Sequence, residues 1–119
     1  MIGGNLEMVL QVNVPTTNGI GEDVDAWMDV ITLKGWLDFS GGDSKHTNFN
    51  AKIQETTHLF ICDYQPIPDT LEVEGKTYPV KAETARMVAN SQVYEALVID
   101  NPMGLNKQLE IYLKYTGGQ

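Results

Sequence analysis

Two side chains that often bind metals, His58 and Cys62, lie four residues apart, with His46 and Asp63 nearby in the sequence. Imidazole and thiolate groups are common zinc ligands, so the cluster first suggests a metal site. The neighbouring β-branched and aromatic residues favour a strand, in which positions four apart are ~13 Å from each other. That distance is too long for two ligands of one ion. We therefore predict no metal and no cofactor here, and interpret both side chains as packing residues of a strand.

Two nucleotide-binding patterns are present only in part. Gly75–Thr77 matches the end of a phosphate-binding loop, but Thr70 stands where the motif requires its first glycine, and strand-like residues follow in place of a helix. Gly19 and Gly21 begin a dinucleotide-binding pattern in which Val24 replaces the third glycine. A hairpin turn is the better interpretation of Gly75.

The residue types needed for nucleophilic catalysis do not form a recognisable set. Ser40, Ser44 and Ser91 lack the sequence context of a nucleophile elbow, and only two histidines are available as a base. Pairs of carboxylates are numerous because 16 of the 119 residues are acidic. We therefore expect a protein that is not an enzyme.

The charge distribution argues against general affinity for nucleic acid. Only 8 residues are Lys or Arg, the formal net charge is −8, and no basic residue precedes Lys34. Binding to phosphate backbones depends on Lys and Arg, which displace counterions. The simplest role of such a charge is solubility.

The expected compartment is inferred from the targeting signals, the apolar runs and the cysteine content of the sequence. Met1–Val14 has no basic start, so it is a poor signal peptide. No apolar run approaches the ~20 residues of a membrane helix. The single cysteine, Cys62, excludes an intrachain disulfide, which suits a reducing cytosol. We expect a soluble protein without a membrane partner.

Alternating apolar and polar residues predict strands along most of the chain. The predicted strands are Leu6–Val14, Trp27–Phe39, Thr57–Asp63, Leu71–Val73, Thr77–Val80, Val93–Ile99 and Leu109–Tyr115. Two stretches, Phe49–Thr56 and Glu83–Asn90, have helix-favouring compositions, but both are too short for propensity alone to hold a helix. The predicted core consists of Leu10, Val12, Ile31, Leu33, Ile61, Val98, Leu109 and Ile111.

These strands predict one mainly β domain over residues 1–119: a small β-barrel of six to seven short strands. Residues 1–20, an N-terminal strand and loop, are its least distinctive part. Ser40–Thr56, between the second and third predicted strands, is a long polar loop with room for a short helix. Loops of this length are often functional, and the two glycines Gly41 and Gly42 predict a mobile one.

The order of several short motifs resembles the head-closure proteins of tailed bacteriophages, also called head–tail connectors or stoppers. The similarity extends from about Asp23 to Gly117. Its motifs are Trp27 with Leu33–Asp38, Ser40–Gly41, Ala51 with Ile53–His58, Phe60–Tyr64, Val73–Tyr78, Val98–Pro102 and Leu109–Tyr115.

The resemblance implies a small β-barrel that assembles as a homo-oligomeric ring in the neck of the virion. Such a ring lies below the portal and its adaptor, closes the DNA-filled head and presents a surface to tail-side neck proteins. Double-stranded DNA would pass through without sequence-specific binding, and assembly would occur in the host cytoplasm. The long loop would project into the channel or an interface through Ser40, Asp43, Lys45, His46, Asn48, Phe49, Asn50, Lys52, Ile53 and Gln54.

Two questions remain open at this level. The acidic residues can line the channel and repel DNA over about a Debye length, ~8 Å, or they can face outward. The alternative function is a small barrel that binds carbohydrate or single-stranded nucleic acid through exposed aromatic residues. In the ring, Trp27, Trp36 and Tyr115 are the candidates for aromatic contacts between subunits, although a core position is the better interpretation of either Trp.

Overall fold

The computed structural model describes residue 4 and residues 6–17, 19–39 and 56–118. The strands of these ranges are β1 (Leu6–Asn13), β2 (Thr16–Thr17), β3 (Asp23–Val24), β4 (Trp27–Phe39), β5 (His58–Asp63), β6 (Thr70–Val73), β7 (Lys76–Pro79), β8 (Ala85–Ala89), β9 (Gln92–Asp100) and β10 (Gln108–Gly118). Single 3₁₀ turns occupy Ala82–Thr84 and Pro102–Gly104. None of the helices in the described ranges is long and apolar enough to cross a membrane.

Six of the strands form a closed antiparallel barrel in the order β1-β4-β5-β10-β9-β8, with β8 returning to β1. The prediction of a mainly β barrel is confirmed. The hairpins β2–β3 and β6–β7 are separate two-stranded sheets. Since all barrel neighbours are antiparallel, the connections alternate between the two ends. Both hairpins and the β9–β10 connection lie at one end, the hairpin end. The β4–β5 connection and the Asn90–Ser91 turn lie at the other, the His58 end.

The core is formed by inward-facing side chains of all six barrel strands. Leu10, Val12, Leu33, Leu109 and Ile111 are buried there as predicted, and Ile31 packs against them in a partly buried position. Ile61 and Val98 are not core residues, so that part of the prediction is wrong. The buried positions that the prediction omitted are Met8, Phe60, Cys62, Val80, Ala85, Met87, Ala89, Tyr94, Ala96 and Leu113.

The error at Ile61 arises because β5 is apolar on both faces. Phe60 and Cys62 point inward and are 0% and 1% exposed, so the intervening Ile61 lies on the outer face. There it is the neighbour of Trp36 on β4 and Glu110 on β10. Period-2 alternation identifies two faces but not which one is buried when both carry large apolar groups.

The error at Val98 arises from an extra residue in β9. Tyr112 pairs with Val98 and Leu113 pairs with Ala96, which leaves Leu97 between the two pairs. Such a bulge inverts the alternation beyond it. Ile99 therefore packs against the core, and Val98 faces outward. A second irregularity lies at Val30 of β4. It likewise inverts the alternation of inward and outward residues in the N-terminal part of that strand.

The helix-like stretch Glu83–Asn90 is a strand for most of its length. Only Ala82–Thr84 forms a 3₁₀ turn, and β8 begins at Ala85. Ala85, Met87 and Ala89 are buried on alternate positions, and pairing with both β1 and β9 satisfies the backbone. Tertiary pairing thus overrides the helical propensity of the alanines. The other stretch, Phe49–Thr56, lies outside the described residues except for Thr56.

Neighbouring residues on β5 provide a direct test of which face is inside. Phe60→Ala should reduce the free energy of unfolding by about 3–5 kcal/mol, because it removes a fully buried ring. Ile61→Ala should cost roughly 1 kcal/mol, because that side chain lies on the outer surface. Urea unfolding of both variants measures the difference. Equal losses, or a larger loss at Ile61, would contradict the orientation of β5.

Candidate functional site at the His58 end

Three aromatic rings meet over the core at the His58 end. His58 begins β5, Tyr94 lies near the start of β9, and Tyr115 lies in the last part of β10. The ring centroids of His58 and Tyr94 are 5.2 Å apart in an edge-to-face arrangement, and those of Tyr94 and Tyr115 are 5.4 Å apart. His58 and Tyr115 are 6.2 Å apart. We call these three residues the aromatic cap; its separations are those of stabilising ring pairs.

The strand register brings the cap together. On one side of β10, Leu113 pairs with His58 of β5, and on its other side Tyr115 pairs with Tyr94 of β9. The pairing of β10 with both neighbouring strands therefore places the three rings close together. The hydroxyl group of Tyr115 donates a hydrogen bond to Oε1 of Gln92. Tyr94 is 8% exposed, whereas Tyr115 is 44% exposed. The cap is therefore buried on its inner side and accessible at Tyr115.

Thr57 anchors the chain where it enters the barrel after the long polar segment. Its backbone N–H donates to the carbonyl oxygen of Leu113 at 2.9 Å, and its Oγ1 accepts from the N–H of Tyr115 at 2.7 Å. The same Oγ1 lies 3.0 Å from Nδ1 of His58. Thr56 is 1% exposed. The predicted mobile loop Ser40–Thr56 therefore does not extend to its last residue, because Thr56 is buried.

The two inner rings of the cap, His58 and Tyr94, are uncharged at neutral pH. Burial lowers the pKa of His58 below its ordinary value of 6.5, so the neutral imidazole predominates. Burial, and secondarily the neighbouring Tyr115, raises the pKa of Tyr94. Uncharged rings beside a threonine anchor are suited to holding strand ends in position.

Cys62 is enclosed in the barrel wall next to Gly35. Burial raises the pKa of the thiol to about 11, with a further contribution from Asp63 that outweighs a backbone hydrogen bond from Leu109. Gly35 is the β4 neighbour of Cys62, and a Cβ atom there would lie 2.2 Å from the carbonyl oxygen of Ile61 and 2.8 Å from Cβ of Cys62. Glycine is required at this position because the two strands approach too closely for any side chain.

The residues that were considered as metal ligands, and for which no metal was predicted, lie in different surroundings in the structure. Cys62 faces the core, Asp63 is the next residue and faces the opposite side, and His58 belongs to the cap. Within the ranges that the structure describes, no three His, Cys, Asp or Glu side chains are grouped so that they could hold a metal ion. His46 lies outside these ranges.

The ten residues proposed for the channel or interface loop, Ser40 to Gln54, all lie outside the described residues. The structure defines the two strand ends that flank them. Phe39, the last residue of β4, pairs with His58, the first residue of β5. The long segment therefore starts and ends at adjacent positions of the same barrel end, beside the aromatic cap.

The three candidate contact aromatics lie in separate places. Trp36 is on the outer face of β4 and is 45% exposed, whereas Tyr115 belongs to the cap. Trp27 is partly covered by Arg86, whose guanidinium carbon lies 4.3 Å from the ring centroid. Arg86 Nε also donates to Gln11 at 2.8 Å, and Gln11 donates to Asp29 at 2.8 Å. Sequence reasoning missed Tyr94 and Arg86, because only the strand register reveals their neighbours.

The fold and the capped end define the chain as a small closed β-barrel with one long inserted segment. It is similar to a chain in a solved structure, the virion of a native gene transfer agent (GTA) particle, with 15% sequence identity and a TM-score of 0.50. The match covers 96% of this chain and 96% of that chain. At this identity the likeness shows a shared fold. No protein-family model and no curated protein matches the sequence.

Burial of Cys62 predicts a slow thiol. With a pKa of about 11, about one thiol in a thousand is ionised near pH 8, and the barrel wall excludes the reagent. An aromatic disulfide reagent should therefore label the folded protein far more slowly than the urea-unfolded protein, as followed by absorbance. Equal labelling rates would contradict the buried position of this side chain.

The lowered pKa of His58 predicts a pH-dependent contribution to stability. As pH falls through 6.5, the unfolded state binds a proton that the folded state resists, so the free energy of unfolding decreases until the folded-state pKa is passed. His58→Gln removes this contribution and leaves all other titrating groups in place. Urea unfolding between about pH 8 and pH 5 should show a steeper loss in the wild type than in the variant. Parallel curves would be the contrary result.

Proposed function

We propose that this chain is a structural protein of a phage or phage-like virion. It forms a homo-oligomeric ring in the neck, below the portal and its adaptor, which closes the DNA-filled head and provides the surface for tail attachment. The observation that carries the proposal is the fold likeness to a chain of the gene transfer agent virion, which extends over 96% of both chains. The order of head-closure motifs from Asp23 to Gly117 supports it independently.

The architecture suits a ring subunit that meets different neighbours above and below. The barrel is a rigid body, because backbone pairing continues around all six strands. One end carries the aromatic cap and the segment between Phe39 and Thr56, and the other carries two hairpins. A stopper needs two such unlike ends, one toward the adaptor and one toward the tail.

The charges differ between the two ends. The connections of the hairpin end contain seven acidic and three basic residues: Glu22, Asp23, Asp25, Asp69, Glu72, Glu74 and Glu83, with Lys76, Lys81 and Lys107. The segment between β4 and β5 is balanced, with Asp43, Glu55, Lys45 and Lys52. We propose that this balanced polar segment lines the channel, because it would pass double-stranded DNA without retaining it.

The role that we propose is not catalytic. The most reactive residue type present, Cys62, has a buried thiol whose raised pKa keeps it protonated at neutral pH. His58 is engaged by two tyrosine rings and by Thr57. The binding-module alternative would require neighbouring exposed aromatics, and Trp36 and Tyr115 do not share a face.

The ring proposal is tested by electron cryo-microscopy of necks assembled with this protein. We expect density for a closed ring of small β-barrels between the adaptor and the tail. Particles assembled without the protein should contain a portal and adaptor but lack this layer. Finding the barrel on the capsid shell or on the tail, or finding a neck that is unchanged without it, would overturn the assignment.

A deletion tests the role of the long segment separately. Removing residues 42–50 should leave the melting temperature within a few degrees, because the buried core lies in the six barrel strands. Filled heads that carry the deletion should leak DNA or fail to join tails. A variant with a Gly/Ser chain of the same length separates the effect of length from that of composition. Normal DNA retention and normal infectivity in both variants would reject the channel role.

A further inference from the structure

Part of one edge of β9 has no strand neighbour among the residues that the structure describes. The strand pairs with β10 from Gln92 to Asp100, but with β8 only as far as the pair Arg86–Glu95. Before β8 the chain forms the 3₁₀ turn Ala82–Thr84, which packs beside β9 and does not extend the β8 ladder. Among the described residues, no backbone hydrogen bond outside the strand ladders reaches Leu97–Ile99. These residues therefore present an unpaired edge on the side away from β10.

A groove of about 760 Å³ lies along this edge. Leu97–Ile99 forms one wall, and the opposite wall is formed by Ile67–Asp69 and Val80–Glu83. Its walls are mixed, with apolar surface from Ile67, Val80 and the β9 residues and charged groups from Asp69, Lys81 and Glu83. An apolar groove beside an open strand edge is the arrangement in which extended peptides add to a sheet.

We propose that this groove binds an extended, basic segment of another virion protein, which adds to β9 as a further strand. The backbone of Leu97–Ile99 would pair with the incoming strand, and alternate side chains of that strand would enter the apolar groove. This goes beyond the proposed ring, since it names a second contact surface and its occupant, and it holds whether or not the chain forms a ring.

The charge of this end argues for a partner other than a second copy. Seven acidic residues against three basic ones occupy the hairpin-end connections, and the groove itself is lined by two of the acidic residues, Asp69 and Glu83, and one of the basic ones, Lys81. The hairpin end of a second copy carries the same acidic excess, so two copies would repel each other if they met at this end. A segment that alternates apolar residues with Lys or Arg matches both the apolar walls and the acidic rim.

The isolated protein, labelled with ¹⁵N, provides the test. The probe is a pool of synthetic seven-residue peptides in which Val or Ile alternates with Lys or Arg. We expect the amide signals of Leu97–Ile99 to shift and their hydrogen exchange to slow when the pool is added. A pool with alternate backbone nitrogens methylated keeps the side chains but cannot complete the strand pairing, and it should lose the effect.

Two matched variants test the electrostatic part. Asp69→Lys reverses a charge in the groove and should weaken peptide binding roughly fivefold, the size expected for one exposed charge pair. Asp38→Lys makes the same change on β4 near the His58 end and should leave binding unchanged.

Three outcomes would overturn the proposal. The first is an unperturbed Leu97–Ile99 edge at millimolar peptide. The second is equal binding of the methylated pool, since the groove would then take side chains without strand addition. The third is a shift of the same signals with protein concentration alone, because the occupant would then be a second copy. All of these measurements use the isolated subunit, whereas the ring proposal is tested on the assembled neck. A failure of one proposal can therefore be told apart from a failure of the other.

Discussion

The fold depends on the pairing that closes the barrel between β1 and β8. Val9–Val12 pairs with Ala85–Val88, and the same β1 residues pair on their other side with β4. This contact joins the start of the chain to a strand more than seventy residues later. It places Leu10 beside Met87 in a core where both are 0% exposed. Without it, β1 and β8 would be open edges, and their inward residues would be exposed to water.

Closure of six strands requires local irregularities, and these determine what the outside of the molecule presents. The extra residues at Val30 and Leu97 change the alternation of β4 and β9. Bulges of this kind increase the bend and twist that a small barrel needs. They also direct apolar residues such as Val98 outward. Because β8 pairs with β9 only as far as Glu95, no strand among the described residues covers the edge of β9 beyond that point.

The two ends of the barrel use different physical interactions. At the His58 end, uncharged rings and the Thr57 hydrogen bonds hold the strand ends that flank the long segment. At the hairpin end, acidic connections surround an apolar groove. The two ends therefore differ, because aromatic rings and the Thr57 anchor hold one end and carboxylates outnumber basic groups at the other. An acidic end attracts basic partners and repels a second acidic end.

The sequence by itself determined most of the strands, the turn at Glu74–Gly75 and five of the buried core positions, because period-2 alternation and turn chemistry are local properties. It also located the long segment between the second and third predicted strands. The tertiary structure alone decided that Phe60 rather than Ile61 is buried, that Ala85–Ala89 is a strand, and that His58, Tyr94 and Tyr115 meet. Each of these depends on register between strands distant in sequence. A one-residue shift in register exchanges the inner and outer faces of a strand, and the local sequence pattern does not specify which register forms.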